Sequence, residues 1–162
     1  MEVWLQGLKA NLARAPKGGD TDQVRAVASG ECAVAISNSY YIARLMRSNQ
    51  AQDQALMSRV EVVFPNQQSW GTHLNIAGAA VARHSKNPQA AIEFIEYLAS
   101  PQAQTYFADG NNEWPVVASV KNTNAALQAM SGGAFKAETV PVAQVAAHQV
   151  RVQQMLDRIG FR

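Results

Sequence analysis

The sequence predicts an α/β chain in which helices flank a mainly parallel sheet. Three observations support this. Segments with apolar residues at helical spacing alternate with short apolar or β-branched runs of strand length. Pro, Gly and Asn punctuate the joins, and no internal repeat points to a solenoid. With 162 residues, 48% hydrophobic and 16% charged, the chain is long and apolar enough to bury one core, and it lacks the composition of disorder.

Taken in order, residues 3–14 read as an amphipathic helix on Trp4, Leu5, Leu8 and Leu12, ended by Ala15-Pro16 and Gly18-Gly19. This apolar pattern begins with no cap before it, as expected of a chain that continues an upstream neighbour. Asp20 or Thr21 caps a second helix through Val24 and Val27, with Gly30 placed for a left-handed end. Cys32 to Ser37 reads as a strand, after which Asn38 or Ser39 caps a helix carrying Ile42, Leu45 and Met46. A short helix through Leu56 leads to a β-branched strand, Val60 to Phe64, closed by Pro65 and Asn66. The stretch 72–81 has strand character in its first half. Asn87-Pro88 and Ser100-Pro101 each start a helix, the first with a wide apolar face on Ala91, Ile92, Phe94, Ile95 and Leu98, the second running to about Asp109 before Gly110. Trp114 to Ala118 reads as an edge strand, because Pro115 has no N–H to donate. A short helix near 125–130 and a closing helix over 142–159 complete the pattern, the latter with Val142, Val145, Ala146, Val152, Met155 and Ile159 as expected core positions.

Composition and motifs exclude several function classes. Fourteen basic against 12 acidic residues, scattered without runs, give a net charge of +2 and no stripe suited to nucleic acid. Cys32 is the single cysteine, which excludes an intrachain disulfide and a CxxC site; it reads as a small buried hydrophobe. No apolar run reaches the roughly 18 residues of a membrane helix, and the first residues do not follow a secretory-signal layout. His73, His84 and His148 form no HxxxH pattern, and no GxSxG, P-loop or dinucleotide fingerprint is present. Glu93 and Glu96 read as a solvated helix face.

Tyr40 and Tyr41 carry the sharpest chemistry. On a strand, adjacent side chains point to opposite faces; in the first turn of a helix they stand about 100° apart and both can lean over the N-terminus. A phenol with an ordinary pKa of about 10 is a poor anion at neutral pH, but a helix N-terminus and above all a bound cation favour its ionised form. Phenolate oxygen is a hard donor suited to a hard ion such as Fe(III). The plainer reading, a packing pair at a helix start, stands beside it.

Five stretches resemble the ferric-iron-binding proteins of bacterial ABC importers, a transferrin-like branch of the type II periplasmic binding proteins. They are VASGECAVAISNSYY (27–41), FPNQ (64–67), GTHLNIAGAAV (71–81), NPQAAIEFIEYLASPQAQ (87–104) and GNNEWPVV (110–117). They occur in the family's order and span nearly the whole chain, and Asn-x-Tyr-Tyr is their most functional word. The resemblance implies a three-layer sheet with flanking helices, forming a type II lobe that is incomplete relative to the family. It implies that Tyr40 and Tyr41 supply two phenolate ligands to Fe(III). It also implies that Asn38 matches a position which, in some members, holds a synergistic anion such as phosphate or carbonate. Residues 1–72 and 119–162 would form mainly the Tyr-bearing lobe, with 73–118 crossing to the other. Family members are about twice this length, and their further ligands come from the part not represented here. The implied role is non-enzymatic periplasmic capture of iron for an inner-membrane permease, with homodimerisation expected if the first lobe is missing. The alternatives are a type II domain for another small solute, an oxyanion or organic cation, an enzyme using a tyrosine as an acid-base group, or a fragment keeping only an interaction surface.

Overall fold

A computed structural model describes residues 1–161. Eight α-helices follow in order: α1 Glu2–Ala10, α2 Asp20–Ser29, α3 Ser39–Met46, α4 Ala51–Met57, α5 Pro88–Leu98, α6 Pro101–Tyr106, α7 Ala125–Ser131 and α8 Val142–Ile159. A π-helical turn, Phe107–Asn111, extends α6.

Local chemistry accounts for most of these bounds. Pro88 and Pro101 sit in the first turns of α5 and α6, where a missing N–H costs nothing. Gly30, Gly132 and Gly160 end α2, α7 and α8 in the left-handed conformation. Two boundaries differ from the sequence expectation. α1 stops at Ala10, because the Asn11 side chain donates to the Gly7 carbonyl at 2.8 Å and turns the chain away. The helix expected to stop at Gly110 instead widens into the π-turn and ends at left-handed Asn112, φ 61°. Glu113 N donates back to the Phe107 carbonyl there at 3.2 Å.

The main core lies between α2, α3, α4 and α7. Val24, Ile42, Ala43, Leu45, Ala126, Leu127 and Met130 are its buried members, and Leu56, Val62, Phe64 and Trp114 pack against it. Phe64 stacks on Phe135 at 4.5 Å between ring centroids, with Trp114 edge-on to both. α1 and α8 pack together, tied by Lys9 Nζ donating to the Ile159 carbonyl at 2.7 Å. In α8 only Met155 is buried, so Val142 and Val145, expected in the core, are exposed. α5 buries no residue, and Phe94 on its expected apolar face is 58% exposed. Periodicity marks an apolar face without saying what covers it.

The expected sheet is not formed among the described residues. Segments 32–37, 60–64 and 73–81 lie outside any helix or ladder, and Val34 and Ile36 are 83% and 87% exposed. The physical reason is the absence of a paired strand beside them, since β-branched runs favour extended backbone without supplying the partner. At 114–118, Gln104 Oε1 accepts from Val116 N at 2.8 Å, a side chain doing what a ladder would do.

One isolated parallel bridge joins Thr72 to Ala137. Thr72 N donates to the Lys136 carbonyl at 2.8 Å, and Glu138 N to the Thr72 carbonyl at 2.9 Å. Gln67 extends this ladder with its side-chain amide, accepting from Lys136 N at 2.6 Å and donating to the Lys136 carbonyl at 3.0 Å. Gly71 makes the approach possible. It has φ +98°, and a Cβ there would lie 2.6 Å from the Ala137 carbonyl carbon. Gly71→Ala is therefore expected to destabilise the chain by on the order of 2 kcal/mol, read as a lower urea midpoint. An unchanged midpoint would show that the 72–137 junction yields freely.

Candidate functional site

The tyrosine pair sits where a strand-like segment turns into α3. Asn38 occupies the N-cap position with extended backbone (φ −72°, ψ 139°), and Ser39 begins the helix. Ile42, Ala43 and Leu45 anchor one face of α3 in the core. That anchoring leaves Tyr40 and Tyr41 half-buried at the open end, with ring centroids 4.2 Å apart and planes inclined by 36°. The structure thus brings together the two side chains that helical spacing predicted could converge. Arg44, one turn on, lies 5.1 Å over the Tyr41 ring and donates to Thr21 Oγ1 at 3.3 Å.

Asn38 belongs to the same constellation, though not as a side-chain cap, since its amide makes no bond to α3. Its backbone N and its Nδ2 donate to Asp20 Oδ1 at 2.7 and 3.2 Å. Ser37 Oγ reaches the same oxygen at 3.2 Å, and Asn75 Nδ2 donates to Asn38 Oδ1 at 2.8 Å. Asp20 and Asn75 were not legible as site residues. Asp20 reads in sequence as a helix cap, whereas Gly19 takes that position and Asp22 Oδ2 accepts from its N–H at 3.0 Å.

A cavity of about 270 Å³ opens beside the pair, lined by Tyr40, Arg44, Gly110, Asn111, Asn112 and Glu113. Its far wall is the end of the π-turn, pinned to α3 by Arg47, which donates to the Asp109 carbonyl at 2.5 Å and to Asn112 Oδ1 at 2.6 Å. Asn124 Nδ2 donates to Asn112 Oδ1 as well, at 2.9 Å. A larger cavity, about 450 Å³, lies elsewhere, among the paired charges Arg14–Glu31 and Arg25–Asp22, and contains no tyrosine.

The Tyr40 hydroxyl is pushed up from the ordinary 10.0 to about 12. Hydrogen bonding with the Tyr41 side chain is the main cause, followed by desolvation and by the negative charges of Tyr41, Asp20 and Glu113. The unliganded phenol is therefore neutral at pH 7, and a bound cation has to displace its proton. The folded chain keeps this proton between pH 10 and 12 while the unfolded chain loses it, so stability falls as pH rises across that window. Ultraviolet titration should show one of the four tyrosines ionising near pH 12, moving toward 10 in Tyr41→Phe. Four tyrosines all ionising near pH 10 would contradict this coupling.

The remaining candidates lie apart from this constellation. His73 pairs with Glu138 beside the Thr72–Ala137 bridge, while His84 and His148 are exposed. Cys32 is half-buried, and Glu93 is exposed and accepts from Gln89 Nε2 at 3.2 Å. Among the described residues, no three His, Cys, Asp or Glu side chains form a metal-binding group, and no helix is long and apolar enough to cross a membrane.

Comparison with known proteins gives a consistent picture. The sequence profile described as bacterial extracellular solute-binding protein matches residues 3–134. Iron uptake protein A2 of Synechocystis sp. is 44% identical over 161 residues, covering 98% of this chain and 46% of that protein. A Trichodesmium protein (IdiA, FutA) solved with iron and citrate is 42% identical with TM-score 0.89, and the ferric binding protein of Campylobacter jejuni is 37% identical with TM-score 0.91. Each likeness covers 99% of this chain and 50% of the solved one, and together they show a type II periplasmic-binding-protein fold. The chain spans about half the length of the curated relatives it matches.

Proposed function

This chain belongs to the bacterial extracellular solute-binding protein family, and on that premise we propose that it is the tyrosine-bearing part of a ferric-iron carrier, holding Fe(III) through the phenolate oxygens of Tyr40 and Tyr41. The observation that carries the reading is the pair of phenol rings 4.2 Å apart at the first turn of α3, with Tyr40 lining an open cavity. Two hard anionic donors at a helix N-terminus match a small, highly charged cation. The role is capture and delivery without turnover, to an ABC permease from the periplasm, with remaining ligands from sequence outside these 162 residues.

The burial pattern supports part of this division of the chain. The helices α2, α3, α4 and α7 share one core, consistent with 1–72 and 119–162 forming mainly the tyrosine-bearing lobe, and the end of the 73–118 stretch returns to it, with Trp114 packed against that core and Asn112 bonded to Arg47. α5 lies within 73–118 and buries no residue, as expected of a segment that crosses to other partners. The extended segments 32–37 and 60–64 then serve as strands of a three-layer α/β lobe, completed by strands not present here.

Adding Fe(III) as its nitrilotriacetate complex tests the site. A visible phenolate-to-iron charge-transfer band is expected, with affinity well below that of a two-lobed clamp because the opposing ligands are not held at high effective concentration. An oxyanion or organic cation that raises the melting temperature, while Fe(III) gives neither band nor stabilisation, would select a different solute for the same fold.

A further inference from the structure

From the hydrogen bonds around Asn38 we infer that Asp20 acts as the resident anion of the tyrosine site. As a positioning residue it holds Asn38 and the start of α3 in place, and it occupies the Asn38 backbone N–H and one side-chain N–H, donors for which an added phosphate or carbonate would have to compete. The inference rests on the ferric reading of Tyr40 and Tyr41.

An exogenous anion beside a bound metal needs free donors and a positive setting. Asn38 offers three N–H donors at the mouth of the site, one on its backbone and two on Nδ2, and the backbone N–H and one from Nδ2 already point at Asp20 Oδ1. Ser37 Oγ adds a third bond to that oxygen. The acceptor end of the same amide is taken by Asn75 Nδ2 at 2.8 Å. An incoming oxyanion thus finds one Nδ2–H of Asn38 and can reach the backbone N–H only by displacing Asp20. Such bonds to a carboxylate are among the stronger ones a protein makes, and Asp20 sits in the first turn of α2, where the helix dipole favours a negative charge.

The local potential argues the same way. The charges of Asp20 and Glu113 both act on Tyr40, so the site is negative before any anion arrives. Arg44, the cation beside the pair, is engaged with the Tyr41 ring and Thr21. Two phenolates and the Asp20 carboxylate together carry three negative charges, enough to offset Fe(III) without a borrowed anion.

The test compares Fe(III) loading from the nitrilotriacetate complex in degassed, phosphate-free buffer and after addition of inorganic phosphate. In the unmodified chain the charge-transfer band should form without phosphate and change little when it is added. Asp20→Asn keeps the shape but replaces a charged acceptor with an amide. Its band should be roughly tenfold harder to form without phosphate, and phosphate should restore it, a chemical rescue that a purely structural role would not show. A band in the unmodified chain that needs phosphate would overturn the inference, as would an Asp20→Asn variant behaving like the unmodified chain in both buffers. Should Asp20→Asn fail to fold, the phosphate dependence of the unmodified chain decides alone. No band from the unmodified chain in either buffer would overturn the tyrosine reading and this inference with it, whereas a phosphate-dependent band would overturn this inference only.

Discussion

Replacing both Tyr40 and Tyr41 by phenylalanine is expected to abolish the visible band formed with Fe(III) and to weaken iron binding by at least about 100-fold. Even changes one shell removed from a metal cost about 10–100-fold, and these substitutions remove the donor atoms themselves. Each single variant should retain a weaker, shifted band from the surviving phenolate. The rings would still pack, since Phe keeps the face that lies 4.2 Å from its neighbour. The melting temperature should therefore change little. Loss of the band with an intact melting transition separates a ligand role from a packing role. Survival of the band in the double variant would assign the iron to other donors.

Leu127→Ala is expected to have the largest effect on stability, about 2–5 kcal/mol, measured as a fall in the urea or thermal midpoint. Leu127 is 0% exposed and is the largest fully buried side chain among the described residues. It lies in the same buried cluster as Ile42 and Leu45, which anchor the helix that presents the tyrosines. A loss of this size is a large share of the 5–15 kcal/mol typical of a folded domain, so the variant should lose iron binding through unfolding and recover it at lower temperature. A change below about 1 kcal/mol would mean that the α3–α7 contact is not the centre of the core.

Much of the helical framework was legible because helix ends are written locally. Proline in the first turns of α5 and α6 and glycine after α2 and α8 mark boundaries through backbone geometry alone, and α8 spans the 142–159 read from periodicity. The convergence of Tyr40 and Tyr41 was legible for the same reason, as it needs only a helix that starts at Ser39. Pairing was not. The runs at 32–37 and 60–64 announce extended backbone, but a ladder needs a second strand, which no local pattern supplies. Likewise, Ile92 and Phe94 announce an apolar face on α5, yet they remain exposed where no partner covers them. The bond between Asp20 and Asn38 bridges 18 residues, and its distance along the chain leaves no spacing signature. An aspartate at a helix start reads as a cap until the structure shows its oxygen turned toward the tyrosine helix.

Resonance Raman spectroscopy, excited within the visible band of the Fe(III)-loaded chain, tests the central claim most directly, because it enhances only the vibrations of groups bonded to the absorbing iron. Enhanced tyrosinate ring modes, lost together in Tyr40→Phe/Tyr41→Phe, are the result expected if these two phenolates hold the metal. A band that carries no tyrosinate modes, or modes that persist in the double variant, would contradict it.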